Sequence, residues 1–516
     1  MKIINIVLLV VMCSSLFSCF DDKGSYDYTK INEITAKIAF IGPDGEEQIA
    51  PSYVLDVGES VKILPKLTFS QNKENIKLEY KWLVDTVEMS TDEEFIYSPE
   101  KLGYKKCALV VSEQGVGREF YQTFNISVQS KYKTGWFVLS DEGNGSVLSL
   151  IRTSEIRGDY TLGTNASLKI VSVERNIYEK INGEALGGTP VKLHEHWCYD
   201  NYMGEVVLLQ NGGVGSVELN GDEISRVAYL KSEFLNQDVP ANLKVKDAFY
   251  AIWDHFILDE SGLLYVRRNT TNQDHYSGYF LNRPFMNGKK FSKLIPVNVF
   301  RSKYFLAFDA DESSYIGIDE QYYNVGNSGK KLGFSYIESQ YRDDFEHVEG
   351  IPVYSTASTE YDYKKFCNVV VFDVNGESYL HIFKHELSGN VVSILESKRV
   401  KAGLPNVNGI TAFRNTPYAF YSGGDAQDKL YWLRLDNGDS GLYYDFKGEK
   451  ITSVTCREAD DGVPYPEPEI GIGTESGNVY ISKFDEEVKT GNFVKEGDGF
   501  GKVKSLIYKE GQNSFQ

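Results

Sequence analysis

From about residue 131 onward one unit recurs seven times: a strand, a turn built of Gly, Asn or Asp, and a second strand. The hairpins begin at Trp136, Glu205, Phe256, Tyr304, Val369, Tyr418 and Glu469, a mean spacing of about 55 residues. A third, leading strand precedes several of them, as at Val245–Tyr250, Val407–Phe413 and Lys450–Thr455. Such units, of about 50 residues with one further return strand, are propeller blades. Lys502–Tyr508 reads as another leading strand with no hairpin after it, and the Trp136 hairpin has no leading strand of its own. The sequence therefore predicts a β-propeller over residues 131–516, closed by its C-terminal strand. It has seven blades, with six or eight as the alternatives. Closure removes the exposed sheet edges on which chains aggregate.

Composition agrees with an all-β chain. The 35 tyrosines and 29 phenylalanines outnumber five methionines, and 46 glycines supply turns. At 516 residues there is room for more than one core. Residues 31–130 read as a separate β-sandwich with strands at Ile34–Ile41, Ser60–Leu67, Leu78–Val84, Cys107–Ser112 and Phe120–Val128. A net charge of −19 excludes a nucleic-acid partner, because binding phosphate takes a positive field.

The first 30 residues carry an address. Lys2, a short apolar run and small residues before Cys19 read as a secretory signal over residues 1–18. Leu16-Phe17-Ser18-Cys19 looks like a bacterial lipobox, which makes Cys19 the lipidation site and residues 19–30 a tether. No other stretch is apolar for long enough to span a bilayer, so the expected membrane attachment is the lipid alone.

Cys19 to Tyr28 followed by Ile31-Asn-Glu-Ile34 resembles the start of the PKD-like family of Bacteroidetes surface lipoproteins. Asp21 and Asp22 resemble the export signal that sends such proteins to the outer face, which implies an outer-membrane lipoprotein facing the exterior. Tyr80-Lys-Trp82 resembles the central strand of a PKD or immunoglobulin-like domain, with Trp82 in its core. Members of this family accompany SusC/SusD-like TonB-dependent importers. The resemblance therefore implies a nutrient-handling partner of such an importer and of other surface lipoproteins, with a peptide or glycan as ligand.

Chemistry is harder to find. His194, His196 and Cys198 would share one face of a strand, but same-face residues about 6.6 Å apart cannot converge on one metal without bending, so the default is a set of satisfied side chains. His381 and His385 read the same way. Asp309-Ala-Asp311-Glu312 and Asp436-Asn-Gly-Asp439 are acidic turns that do not match a calcium loop. Gly438-Asp-Ser-Gly441 falls where a turn is expected, and no catalytic set stands out. Neither a metal nor a cofactor is expected. Aromatic residues in the connections, namely Tyr276, Tyr279, Tyr322, Tyr323, Tyr361 and Tyr363, are candidates for a ligand or partner surface, since tyrosine gives broad contact at low entropy cost. The expectation is a non-catalytic binding or accessory protein. The alternative is a propeller-type glycosidase, lyase or peptidase.

Overall fold

The computed structural model describes residues 32–71, 76–115, 117–132, 134–156, 167–196, 205–251, 254–268, 278–297, 304–319, 330–359, 365–413, 416–457 and 468–509. The chain divides into two compact units, Met1–Gln129 and Ser130–Gln516.

The first unit is a sandwich of two sheets. One sheet orders Glu47–Ile49, Ile34–Ile41, Val61–Phe69 and Phe95–Tyr97. The other orders Ser52–Asp56, Glu119–Gln129, Gly103–Glu113, Leu78–Val84 and Val87–Ser90. Ile34, Ala36 and Ile38 are buried while Thr35 and Lys37 are exposed, so the period of two sets the inner face. Trp82 is fully buried between Phe95 and Phe124, with ring centroids at 5.7 and 6.0 Å. Its indole N–H donates to the Asp92 carbonyl at 2.9 Å, which removes the cost of burying that donor. The sequence predicted five of these nine strands; the other four run to only three to five residues.

The second unit is a seven-bladed propeller, and the blades are numbered here along the ring. Blade 1 orders Lys502–Lys509, Gly135–Asp141, Ser146–Ile156 and Ser167–Glu174 from the centre outward. Blade 2 follows with Thr189–His196, Glu205–Asn211, Val217–Leu219 and Arg226–Tyr229. Blade 3 has Val245–Tyr250, Asp254–Asp259 and Leu264–Arg268. Blade 4 comprises Phe291–Pro296, Tyr304–Asp309, Ser314–Asp319 and Lys330–Tyr336. Blade 5 comprises Ile351–Thr359, Lys365–Val374, Glu377–Ser388 and Val391–Lys401. Blade 6 has Gly409–Ala412, Tyr418–Gly423, Lys429–Arg434 and Ser440–Asp445, and blade 7 has Ile451–Arg457, Glu469–Thr474, Val479–Lys483 and Val494–Gly497.

Each innermost strand contacts the next, and Lys502–Lys509 contacts both Ile451–Arg457 and Thr189–His196, so the ring closes. The C-terminal strand pairs antiparallel with Gly135–Asp141, Trp136 opposite Tyr508, as the repeat pattern predicted. All seven predicted hairpins are the second and third strands of their blades. Their turns explain why: in blade 5, Asn375 and Gly376 sit at φ 55° and 85°, the left-handed pair that a two-residue hairpin demands.

The second strands are apolar on both faces because a blade lies on each side. Phe305 packs with blade 3 residues such as Phe256, while Tyr304 and Leu306 face blade 5 residues such as Val370 and Phe383. Blades 4 and 5 are also joined at the rim. Gly333–Tyr336 pairs parallel with Val391–Ile394, which makes one eight-stranded sheet.

Candidate functional site

Around the ring the innermost strands are stitched mostly by neutral groups. Ser505 Oγ accepts from the Leu193 N–H at 3.1 Å, Ser453 Oγ from Leu506 N–H at 3.0 Å, and Thr411 Oγ1 from Cys456 N–H at 3.1 Å. Thr452 Oγ1 donates to the Val503 carbonyl at 2.6 Å. The sector from blade 2 to blade 4 is ionic instead. Asp247, on the innermost strand of blade 3, lies 2.9 Å from Lys192 Nζ, 3.5 Å from Lys293 Nζ and 3.6 Å from His194 Nε2. Burial alone would raise the Asp247 carboxyl, but the two ammonium groups hold it well below the usual carboxylate range. Burial and Lys192 push His194 down to about 4, so near neutral pH its ring is uncharged.

His194 thus lies among the charged groups of this cluster, its Nε2 buried with no hydrogen-bond partner among the described residues. His196 ends the same strand, and Cys198 lies outside the described residues. Among the described residues no three His, Cys, Asp or Glu side chains group so as to hold a metal ion.

Behind this cluster lies its inverse. Arg267 is fully buried, with Glu218 and Glu233 each 3.0 Å from its guanidinium and His255 Nδ1 also against it. Burial, then the neighbouring Glu218, raise Glu233 well above its ordinary value, and burial raises Glu218. One guanidinium cannot neutralise two buried carboxylates, so the pair retains a proton into the range where isolated acids have lost theirs.

Blade 5 carries two histidine chains. Tyr304 OH lies 2.8 Å from His385 Nδ1, and His385 Nε2 2.7 Å from Asn368 Oδ1. Tyr315 OH lies 2.8 Å from His381 Nδ1, His381 Nε2 lies 3.0 Å from Ser397 Oγ, and Ser397 donates to Asp344. Burial pushes both histidines down to about 3, so each is neutral with one ring proton. Proton supply fixes the direction of the second chain. Ser397 has a single proton, which goes to the Asp344 carboxylate, so His381 Nε2–H donates to Ser397 and Tyr315 donates to Nδ1. Ser397 therefore accepts from His381 and donates to the Asp344 carboxylate, so its one proton is committed to that carboxylate.

Ser397 lines a cleft of about 250 Å³ at the outer rim of blade 5. Tyr341 and Phe383 give it aromatic wall, Lys384 and Lys398 amines, and Glu396 and Asp436 carboxylates. Lys384 and Glu396 pair at 3.4 Å, while Lys398 Nζ donates to the Asp436 carbonyl at 3.2 Å. Of these residues only Asp436 was singled out by sequence, as part of an acidic turn; the run Lys398-Arg399-Val-Lys401 in so acidic a chain was the further available signal.

Of the tyrosines expected at a binding surface, Tyr279 is described and is 56% exposed. Tyr276, Tyr322, Tyr323, Tyr361 and Tyr363 lie outside the described residues, as do Cys19, Asp21 and Asp22. Arg268, Asp319 and Thr359 end first or third strands of adjacent blades, and antiparallel pairing puts such ends at one end of each blade.

Comparison with known proteins bears on the fold. A model of the PKD-like family matches residues 19–190, which takes in the whole sandwich. Among solved structures the chain is similar to a quinonprotein alcohol dehydrogenase-like protein from Bacteroides thetaiotaomicron, at 14% identity and TM-score 0.39 over 89% of this chain and 94% of that one. It is also similar to lignostilbene dioxygenase from Pseudomonas brassicacearum, at 7% identity and TM-score 0.39 over 74% and 93%. No curated protein matches the sequence. At such distances the neighbours' chemistry says nothing of this chain's.

Proposed function

We propose that this chain is a lipid-anchored protein of the outer-membrane surface. In this reading it is a non-catalytic binding and accessory subunit beside a SusC/SusD-like importer, and it captures an oligopeptide or oligosaccharide. The observation that carries the binding half is the blade 5 cleft. It is lined by donors, acceptors and aromatic rings, and its Ser397 hydroxyl is engaged with His381 and the Asp344 carboxylate. The anchoring half is supported by Leu16–Cys19 and the acidic pair behind it. The test is purification of the C-terminally tagged protein from its native membrane in gentle detergent, with mass spectrometry of what is retained. An importer with its lid protein is the expected result; a lone protein would overturn the accessory role.

One observation favours turnover as a second reading. Asp254 is buried and its carboxyl is raised to about 7, by burial first and then by Asp319, against the opposing pull of Arg268 3.4 Å away. An acid held near neutrality beside a second carboxyl is what a glycosidase needs. Hydrolysis of mixed glycans that Asp254→Asn abolishes would put this reading first.

A further inference from the structure

We infer that the outer edge of blade 5 over Ser397–Lys401 binds an extended acidic peptide by strand addition. This rests on the binding reading above and chooses peptide over glycan as its ligand.

A bulge sets the geometry of this edge. The outermost strand, Val391–Lys401, is paired with another strand only over Val391–Ile394, where Gly333–Tyr336 runs beside it; Ser339–Asp344 also packs against it, with Asp344 accepting from Ser397. On its inner side Ile394 faces His385 and Glu396 faces Lys384, so Leu395 is an extra residue. Before the bulge the outward carbonyls are those of Asn390 and Ile394, which accept from Gly333 and Ile337. After it the parity changes. Ala402 N–H donates inward to the Ser378 carbonyl, and alternation then turns Val400, Lys398 and Glu396 inward. The backbone groups of Ser397, Arg399 and Lys401 therefore point outward. Among the described residues no strand pairs with them.

An uncovered edge is normally a liability that short strands or covering segments manage. The outermost strands of blades 2 and 7 have only four residues each. Blade 5 has eleven, of which four pair with blade 4, and the cleft lies beside the part that no strand pairs with. Its charge selects the occupant. Lys384 and Lys401 pair with Glu396 and Glu377. Lys398 and Arg399 instead donate to the Asp436 and Glu349 carbonyls, and no described carboxylate lies within ion-pair distance of either. Two cations beside outward backbone donors and acceptors, in a chain of charge −19, suit an extended peptide with acidic side chains.

The test is fluorescence anisotropy on the purified chain with three labelled seven-residue peptides. One alternates Asp and Val, one alternates Lys and Val, and one is the acidic peptide N-methylated at alternate amides. The acidic peptide should bind at least about tenfold more tightly than either of the others. Arg399→Pro removes an outward donor at a position where an edge tolerates proline. It should weaken binding about tenfold beyond Arg399→Ala, which removes the same guanidinium and keeps the N–H. Lys398→Met should weaken binding severalfold and flatten its salt dependence. Equal affinity for acidic and basic peptides, or equal loss in the two Arg399 variants, overturns the inference. If Arg399→Pro does not fold, judged by its melt, the N-methylated peptide asks the same question from the ligand side. Binding of a maltoheptaose probe without peptide binding would sink the strand-addition site and leave the binding reading standing. Peptide bound at this edge by a protein that retains no importer would do the reverse.

Discussion

Two buried charge clusters in adjoining sectors of the ring use the same residue classes in opposite proportion. At Asp247 one carboxylate answers two lysines; at Arg267 one guanidinium answers two glutamates. The first has an open side, Lys192 being 40% exposed at its side chain, and the second has none, Arg267 being 0% exposed. In the open cluster burial lowers Lys293 and His194, which favours proton loss, while the closed one answers by retaining a proton. Stoichiometry, not the kinds of residue present, decides whether a buried ion network is pressed to lose protons or to retain them.

The comparison breaks most visibly at its closed end. Arg267→Met leaves two carboxylates without their cation and should cost about 3–5 kcal/mol at pH 7. Part of that should return as the pH falls and both acids protonate, which urea denaturation at pH 5 and 7.5 will show. Asp247→Asn at the open end should cost about 1–3 kcal/mol, because Lys293, the less exposed amine, loses its counter-charge. Its loss should deepen toward acid pH, since removing the carboxylate leaves His194 facing only amines. Lys192→Met should cost less than about 1 kcal/mol, as expected of a half-exposed ion pair.

A pH titration of the wild type sharpens the contrast. His194, His381 and His385 have folded-state values of about 4, 3 and 3 against an ordinary 6.5. The unfolded chain therefore takes up protons that the folded chain refuses between those values. Stability is fully present above pH 6.5 and is lost as pH falls toward 3. The melting temperature should drop over that window, and His381→Gln with His385→Gln should flatten part of the drop. A flat wild-type profile would show that neither ring is held neutral.

How much of this was legible in sequence follows from where partners lie. The hairpins were, because a turn such as Asn375-Gly376 states its geometry in two adjacent residues. The short strands Glu47–Ile49 and Phe95–Tyr97 were not, since three residues hold barely one period. His381 and His385 have a partner on each ring nitrogen, but the tyrosines on blade 4 that supply one of them were invisible in sequence. Cross-blade partners sit one repeat apart: 55 residues for Lys192 and Asp247, 49 for Arg267 and Glu218, 53 for Leu506 and Ser453. No window of neighbouring residues can see such pairs, although opposite charges offset by one repeat length would have pointed to them. The rim cleft lay further out of reach, since a single bulge at Leu395 decides which backbone groups face outward.

The closing strand carries a consequence in time. Trp136 pairs with Tyr508, a partner made about 370 residues later. At roughly 5–20 residues per second of synthesis, the first blade waits on the order of 20–70 s for the strand that completes it. Throughout that interval the nascent chain is an open arc whose two terminal blades lack their seam, a substrate for chaperones or for a translocation machine that needs its cargo unlatched.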